Sequence, residues 1–243
     1  MANSNSKDVW LLLHGTPLTP AVWADVAPRL GESADVICPD LSGEPGHASG
    51  AGGVQAVLAR RVVASAPLGA RGLHVVGHSF GGQVALEVAL LVPDRLRSLT
   101  ILCSRDTPYP AFAPAAASLR RGGTVDLGAA LRRWFRPDEL ASGSAMVDYA
   151  SGCLRAADRA VWARDLEAIA TYDRSAAMPG ISAPATLVAA ELDQVSTPAA
   201  MAELAARLPR ARLRVLTGAA HMSIFIDPAG LAGIIRAAAR PDR

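Results

Sequence analysis

Apolar positions along the chain follow two rhythms. Short apolar-rich runs occur at Val9–Leu13, Asp35–Cys38, Leu73–Val76, Leu99–Cys103, Ala185–Ala189 and Arg212–Leu216. Several are continuous rather than alternating, the pattern of parallel strands covered on both faces. Between them apolar residues recur at helical spacing. Met201, Leu204, Ala205 and Leu208 follow Thr197-Pro198, and Leu231, Ile234, Ile235 and Ala238 follow Asp227-Pro228. Thr19-Pro20 gives a third start of this type, a capping residue and then a proline whose missing N–H costs the first helical turn nothing. The segment Phe80–Leu91 is apolar nearly all round, as a buried helix is. Repeated strand–helix units predict an α/β fold: an open, mostly parallel sheet of about six strands with helices on both faces.

One stretch breaks the alternation. From about residue 105 to 182 no strand pattern occurs, and helical patterns run through Leu127–Phe135, Tyr149 and Trp162. The chain therefore divides into a core, 1–104 with 183–243, and a helical insertion at 105–182 between the fourth and fifth strands.

Composition narrows the function. The 243 residues carry 24 basic and 22 acidic side chains, net +2, which argues against nucleic acid or an anionic membrane as main partner. The 51% hydrophobic fraction excludes a disordered chain. No uncharged apolar run reaches the ~18 residues of a membrane span, and the apolar run at Val9–Leu13 is too short for a secretory signal. Three cysteines, Cys38, Cys103 and Cys153, without a paired spacing, predict neither a disulfide framework nor a zinc site. A cytoplasmic protein acting on a small molecule, with no metal or organic cofactor, is the expectation.

The segment Gly77-His78-Ser79-Phe80-Gly81 carries the chemistry, because it lies between a strand and a helix. A serine on such a tight turn is exposed at the carboxyl edge of the sheet, and the flanking glycines let strand and helix approach closely. The amides opening the following helix favour developing negative charge. Serine needs a base. Of five histidines, His74 lies in a strand, His78 is read as pointing off the far side of the turn, His14 ends a strand, and His47 sits in a glycine-rich loop. His221, a short loop past the last strand, can hang over the sheet edge. An acid must orient it. Asp193, past the fifth strand, suits best, with Glu191 and Asp106 as competitors. For an oxyanion, the amides of Phe80 and Thr16 are the candidate donors, since Pro17 has none.

Together these residues resemble the α/β-hydrolase superfamily, through LLLHGTP, VICPDLSG, VVGHSFGGQVAL, LVAAELDQVSTP and GAAHM. The resemblance implies Ser79 as nucleophile, Asp193 as acid, His221 as base and Thr16 and Phe80 as oxyanion donors, with 105–182 as a cap or lid. Ser79 separates the chain from the branches that use aspartate there. The cap, through Leu131-Arg132-Arg133-Trp134-Phe135-Arg136-Pro137, Tyr149 and Asp165-Leu166, looks most like 3-oxoadipate enol-lactonase and related lactonases and esterases. That implies a pocket walled by Trp134, Met222 and Trp23. Only eight residues precede Val9, so the leading hairpin of such lactonases is expected to be missing. Plant-type methylesterases and hydroxynitrile lyases share that start and the His-Met pair of His221-Met222. The implied activity is hydrolysis of an ester, lactone or thioester through an acyl-enzyme. Alternatives are C–C bond hydrolysis, elimination or cyclisation by the same residues, or a ligand receptor with vestigial hydrolysis.

Overall fold

The computed structural model describes residues 7–31, 34–43 and 50–240. Six strands, β1 (Val9–Leu13), β2 (Asp35–Ile37), β3 (Leu73–His78), β4 (Leu96–Leu102), β5 (Ala185–Ala190) and β6 (Ala211–Leu216), form one sheet in the order β2-β1-β3-β4-β5-β6. Every pairing is parallel, with Leu11 opposite Val75 and Val76 opposite Thr100. Each predicted strand is present, β1 with the same ends and the others differing at an end by one to three residues.

Helices cover both faces. On the core they are α1 (Ala27–Leu30), α2 (Gly53–Ser65), α3 (Phe80–Leu91), and, after the insertion, two more given below. Between β4 and β5 lie α4 (Ala113–Arg120), α5 (Leu127–Trp134), α6 (Pro137–Ser142), α7 (Ala145–Ala156) and α8 (Arg159–Thr171). The core resumes with α9 (Pro198–Arg207) and α10 (Pro228–Ala238).

Alternate strand residues go to opposite sides, as the pleat requires. Leu11, Leu13, Val75 and Ile101 pack with α2, α3 and α9. Trp10, Leu12, Val76 and Leu102 pack with α1 and α10. Two buried layers explain why the central strands read as unbroken apolar runs. The edge strand β6 differs, leaving Leu213 and Val215 exposed. A third, smaller cluster lies within the insertion, around Leu119, Leu154, Trp162 and Leu166.

The start signals resolve differently. Thr197 and Asp227 cap α9 and α10 by accepting from Ala200 N (3.2 Å) and Gly230 N (2.9 Å). Thr19 makes no such cap. Its amide donates to the Tyr149 hydroxyl (3.0 Å), which donates to the Thr19 carbonyl (3.0 Å), so this residue joins the core to α7.

Candidate active site

Parallel strands place the loops that follow them along one edge, and there the sequence motifs converge. Ser79 links β3 to α3 with φ 54° and ψ −121°, a left-handed conformation rare for a side chain with a Cβ. Four hydrogen bonds hold it. Ser79 N donates to the Leu102 carbonyl (2.9 Å), while the Ser79 carbonyl accepts from Gly82 N (2.8 Å), Gln83 N (3.4 Å) and the Ser104 hydroxyl (2.7 Å). A Cβ at Gly77 would fall well inside 3.0 Å of the Gly81 carbonyl, and one at Gly81 would meet the Leu13 and His14 carbonyls equally closely. Glycine is therefore required at both positions for the helix to start directly behind the serine.

His221 follows β6 at the same edge, buried, with Nδ1 2.6 Å from Asp193 Oδ2. The other oxygen of Asp193 accepts from the amides of Val195 (2.8 Å) and Ser196 (3.0 Å). Burial pushes the Asp193 carboxyl up. The charge and hydrogen bond of His221 and the two amides outweigh that, holding it below the usual carboxylate range. Asp193 is thus an ionised acceptor facing His221 Nδ1.

The competing acids are engaged elsewhere. Asp106 is buried, and both its oxygens accept from Arg207 Nη1 of α9 at 3.1 Å. Glu191 is exposed and accepts from Gly218 N (2.7 Å), bracing the loop that carries His221.

His78 corrects the sequence reading. It does not point away from the site. Its ring is buried 4.8 Å from that of His221, and its Nε2–H donates to the His221 carbonyl (3.2 Å). Burial, then the neighbouring His221, holds the His78 imidazole well below the usual histidine range, so it is a neutral support. His14 is buried and accepts from Leu41 N (3.0 Å), and His74 pairs with the Ser98 hydroxyl (2.8 Å). His47 lies outside the described residues.

Among the described residues, His78, Cys103 and His221 form one group whose ligand atoms lie within 4.8 Å of one another. The group suits a metal poorly. His221 Nδ1 is bonded to Asp193, and burial pushes the Cys103 thiol well up, away from the thiolate that a metal binds.

Ser79, His221 and Thr16 line one small chamber of about 40 Å³, together with Trp134, Trp162, Leu166 and Val195. Trp134 is one of its wall residues. Trp23 and Met222 are not among the lining residues. Trp23 is fully buried, edge-on to Phe225 at 5.1 Å, in the layer beneath the sheet. Met222 shares that layer, and its amide donates to the Trp134 carbonyl (2.8 Å).

That bond belongs to a set no short motif signals. The insertion braces the His221 loop through Trp134, through Arg136 Nη1 donating to the Gly218 carbonyl (3.2 Å), and through Glu139, which accepts from the Ser223 hydroxyl (2.8 Å). Ser223 Oγ in turn accepts from Ala220 N (2.8 Å). On the other side Thr16 Oγ1 donates to Asp165 of α8 (2.7 Å). Arg133 also lines the chamber, with its Nε buried and unbonded among the described residues.

The fold and this edge can be set beside known proteins. The chain is 32% identical over 247 residues to a pimeloyl-[acyl-carrier protein] methyl ester esterase of Aromatoleum aromaticum, covering 93% of this chain and 95% of that one. It is 28% identical over 225 residues to a proposed carbamate hydrolase, RutD, of Pseudomonas savastanoi pv. phaseolicola, covering 85% and 83%. The enol-lactonase of Burkholderia xenovorans LB400 has the same fold, with a TM-score of 0.82 at 21% identity over 98% of this chain and 93% of that one. No helix among the described residues is long and apolar enough to cross a membrane. The model of the alpha/beta hydrolase family matches residues 10–234, and the chain belongs to that family as a hydrolase with esterase- and lactonase-like relatives.

Proposed function

We propose that the protein is a serine hydrolase of small-molecule esters, lactones or thioesters, with 105–182 as a cap over the site. The observation that carries this is the 2.6 Å pair of His221 Nδ1 and Asp193 Oδ2 beside a chamber that Ser79 and His221 line together. His221 Nε2 takes the proton of Ser79 as Oγ attacks the carbonyl carbon. The amides of Phe80 and Thr16 receive the negative oxygen, the former at the head of α3, where helix amides lack partners within the helix. The imidazolium gives its proton to the leaving group, and an acyl-enzyme forms. Water deprotonated by His221 then releases the acid and restores Ser79. This chemistry draws on protein groups alone.

The test is hydrolysis of a panel of phenyl acetate, methyl butyrate, γ-butyrolactone and an acetyl thioester, followed by acid release. Ser79→Ala is expected to lower kcat at least a thousandfold on every substrate that turns over, in line with the large losses seen when a serine nucleophile is removed. Full activity in that variant would overturn the mechanism.

A further inference from the structure

The loop after β1 borders two cavities. One is the chamber of about 40 Å³ beside Ser79 and His221. The other is a cleft of about 610 Å³ between that loop and helices α7 and α8. Thr16 and Trp162 line both. Phe80 borders the cleft, whereas Ser79 and His221 border only the chamber.

Acyl transfer decides which part of a substrate each cavity takes, so the inference rests on the reading above. The leaving oxygen must come within hydrogen-bond reach of His221, which supplies its proton. It therefore lies in the chamber. The carbonyl oxygen turns to the amides of Thr16 and Phe80, both of which line the cleft. The rest of the acyl group extends past them into the cleft. At about 10–15 Å³ per water site, the chamber has room for roughly three waters, the size of a methanol or ethanol unit. The cleft falls within the range of about 300–1,000 Å³ typical of small-ligand sites. Leu18, Leu41, Val161 and Trp162 make much of its wall apolar. Its ionisable residues are His14, Tyr149, Cys153 and the carboxylates Asp158 and Asp165, with no arginine or lysine among the described lining residues.

We propose that the cleft is the acyl-chain subsite, built for a neutral, apolar chain of medium length, and that the chamber admits a leaving group of methanol or ethanol size. On such a methyl ester the bond from acyl carbon to Ser79 Oγ forms as the bond to methoxide breaks. Methoxide leaves as methanol with the proton from His221, and water then cleaves the acyl-serine bond.

Two ester series test this. In methyl esters from acetate to octanoate, kcat/KM is expected to rise at least tenfold overall, since each fully buried methylene is worth up to about fourfold. In acetates from methyl to octyl it should stay flat or fall. Monomethyl suberate, with a carboxylate at the chain end, should react at least tenfold more slowly than methyl octanoate. Gly152 of α7 lines the cleft, and an added Cβ there meets nothing within 4 Å. Gly152→Phe should lower the octanoate-to-acetate ratio of kcat/KM for methyl esters at least tenfold, and Gly152→Leu should give an intermediate ratio. Rising rates along the acetate series, or a ratio that neither variant moves, would overturn the assignment. Calorimetric binding of methyl octanoate to Ser79→Ala protein, with and without Gly152→Phe, separates the two levels. If no ester turns over, the acyl-transfer reading fails. Binding that weakens at least tenfold with Gly152→Phe would still uphold the cleft as the chain site, and binding that does not change would overturn it.

Discussion

The hydroxyl of Thr16 donates to the carboxylate of Asp165 across 2.7 Å, tying the loop that carries a proposed oxyanion donor to helix α8 of the insertion. The second oxygen of Asp165 accepts from Arg164 Nε (2.8 Å), and Arg164 Nη1 reaches the Gly43 carbonyl (3.0 Å). One buried carboxylate thus joins the loops after β1 and β2 through α8. Asp165→Ala leaves Arg164, whose side chain is only 14% exposed, without its anion. The expected outcome is a loss of about 1–3 kcal/mol in stability, the cost of stranding a buried polar partner. We also expect about a tenfold lower kcat, because the Thr16 amide is no longer fixed. Asp165→Asn keeps an acceptor for Thr16 but not the charge for Arg164, so it should recover kcat more than stability. Steady-state kinetics and urea denaturation on the three proteins check both parts.

Strain at Ser79 is separable from its chemistry. Its φ of 54° suits glycine, and non-glycine residues in such regions cost of order 1–3 kcal/mol. Part of the gain from substituting glycine is offset by its greater freedom in the unfolded chain. Ser79→Gly and Ser79→Ala should be equally inactive, with the glycine variant more stable by about 1 kcal/mol. Denaturant midpoints that coincide, or that favour alanine, would show the strain to be no larger than glycine's cost in the unfolded chain.

His78 makes stability depend on pH in a stated direction. Its imidazole is held well below the usual range by burial, next to His221, with Asp193 and His14 also nearby. An unfolded histidine takes up a proton near pH ~6.5. Below that pH the unfolded chain binds a proton that folded His78 refuses, so stability that is full above ~6.5 is lost as pH falls. One such proton gives a slope of about 1.4 kcal/mol per pH unit. His74, also lowered chiefly by burial, acts in the same direction. Between pH 6 and 5, His78→Gln should flatten the stability curve by about that single-proton slope while the His74 contribution stays. Urea denaturation at half-unit pH steps measures it.

The sheet was legible because its strands report their own burial. An apolar run such as Val9–Leu13 is covered on both faces, and no other arrangement keeps all of it from water. The glycines around Ser79 were legible for a similar reason, since backbone passes where any Cβ would stand. The pairing of His221 with Asp193 could be anticipated because both follow parallel strands and so share one edge. The orientation of His78 could not, because a single residue at a tight turn has no periodicity to report its direction. Thr19 likewise carries a capping residue's signal, yet it bonds to a tyrosine 130 positions later.

By itself, then, the amino-acid order determined what local rules control: strand and helix placement, the strained serine turn, and the placing of Ser79, Asp193 and His221 after parallel strands. Tertiary structure alone decided what depends on distant surfaces meeting. It set Trp23 beneath the sheet against Phe225, Asp165 against Thr16, and the carbonyl of Trp134 against the amide of Met222. It also decided that the space beside the serine is a small chamber that shares Thr16 and Trp162 with a larger cleft. Cavities are what packing leaves unfilled, and their size depends on every side chain around them rather than on any one segment.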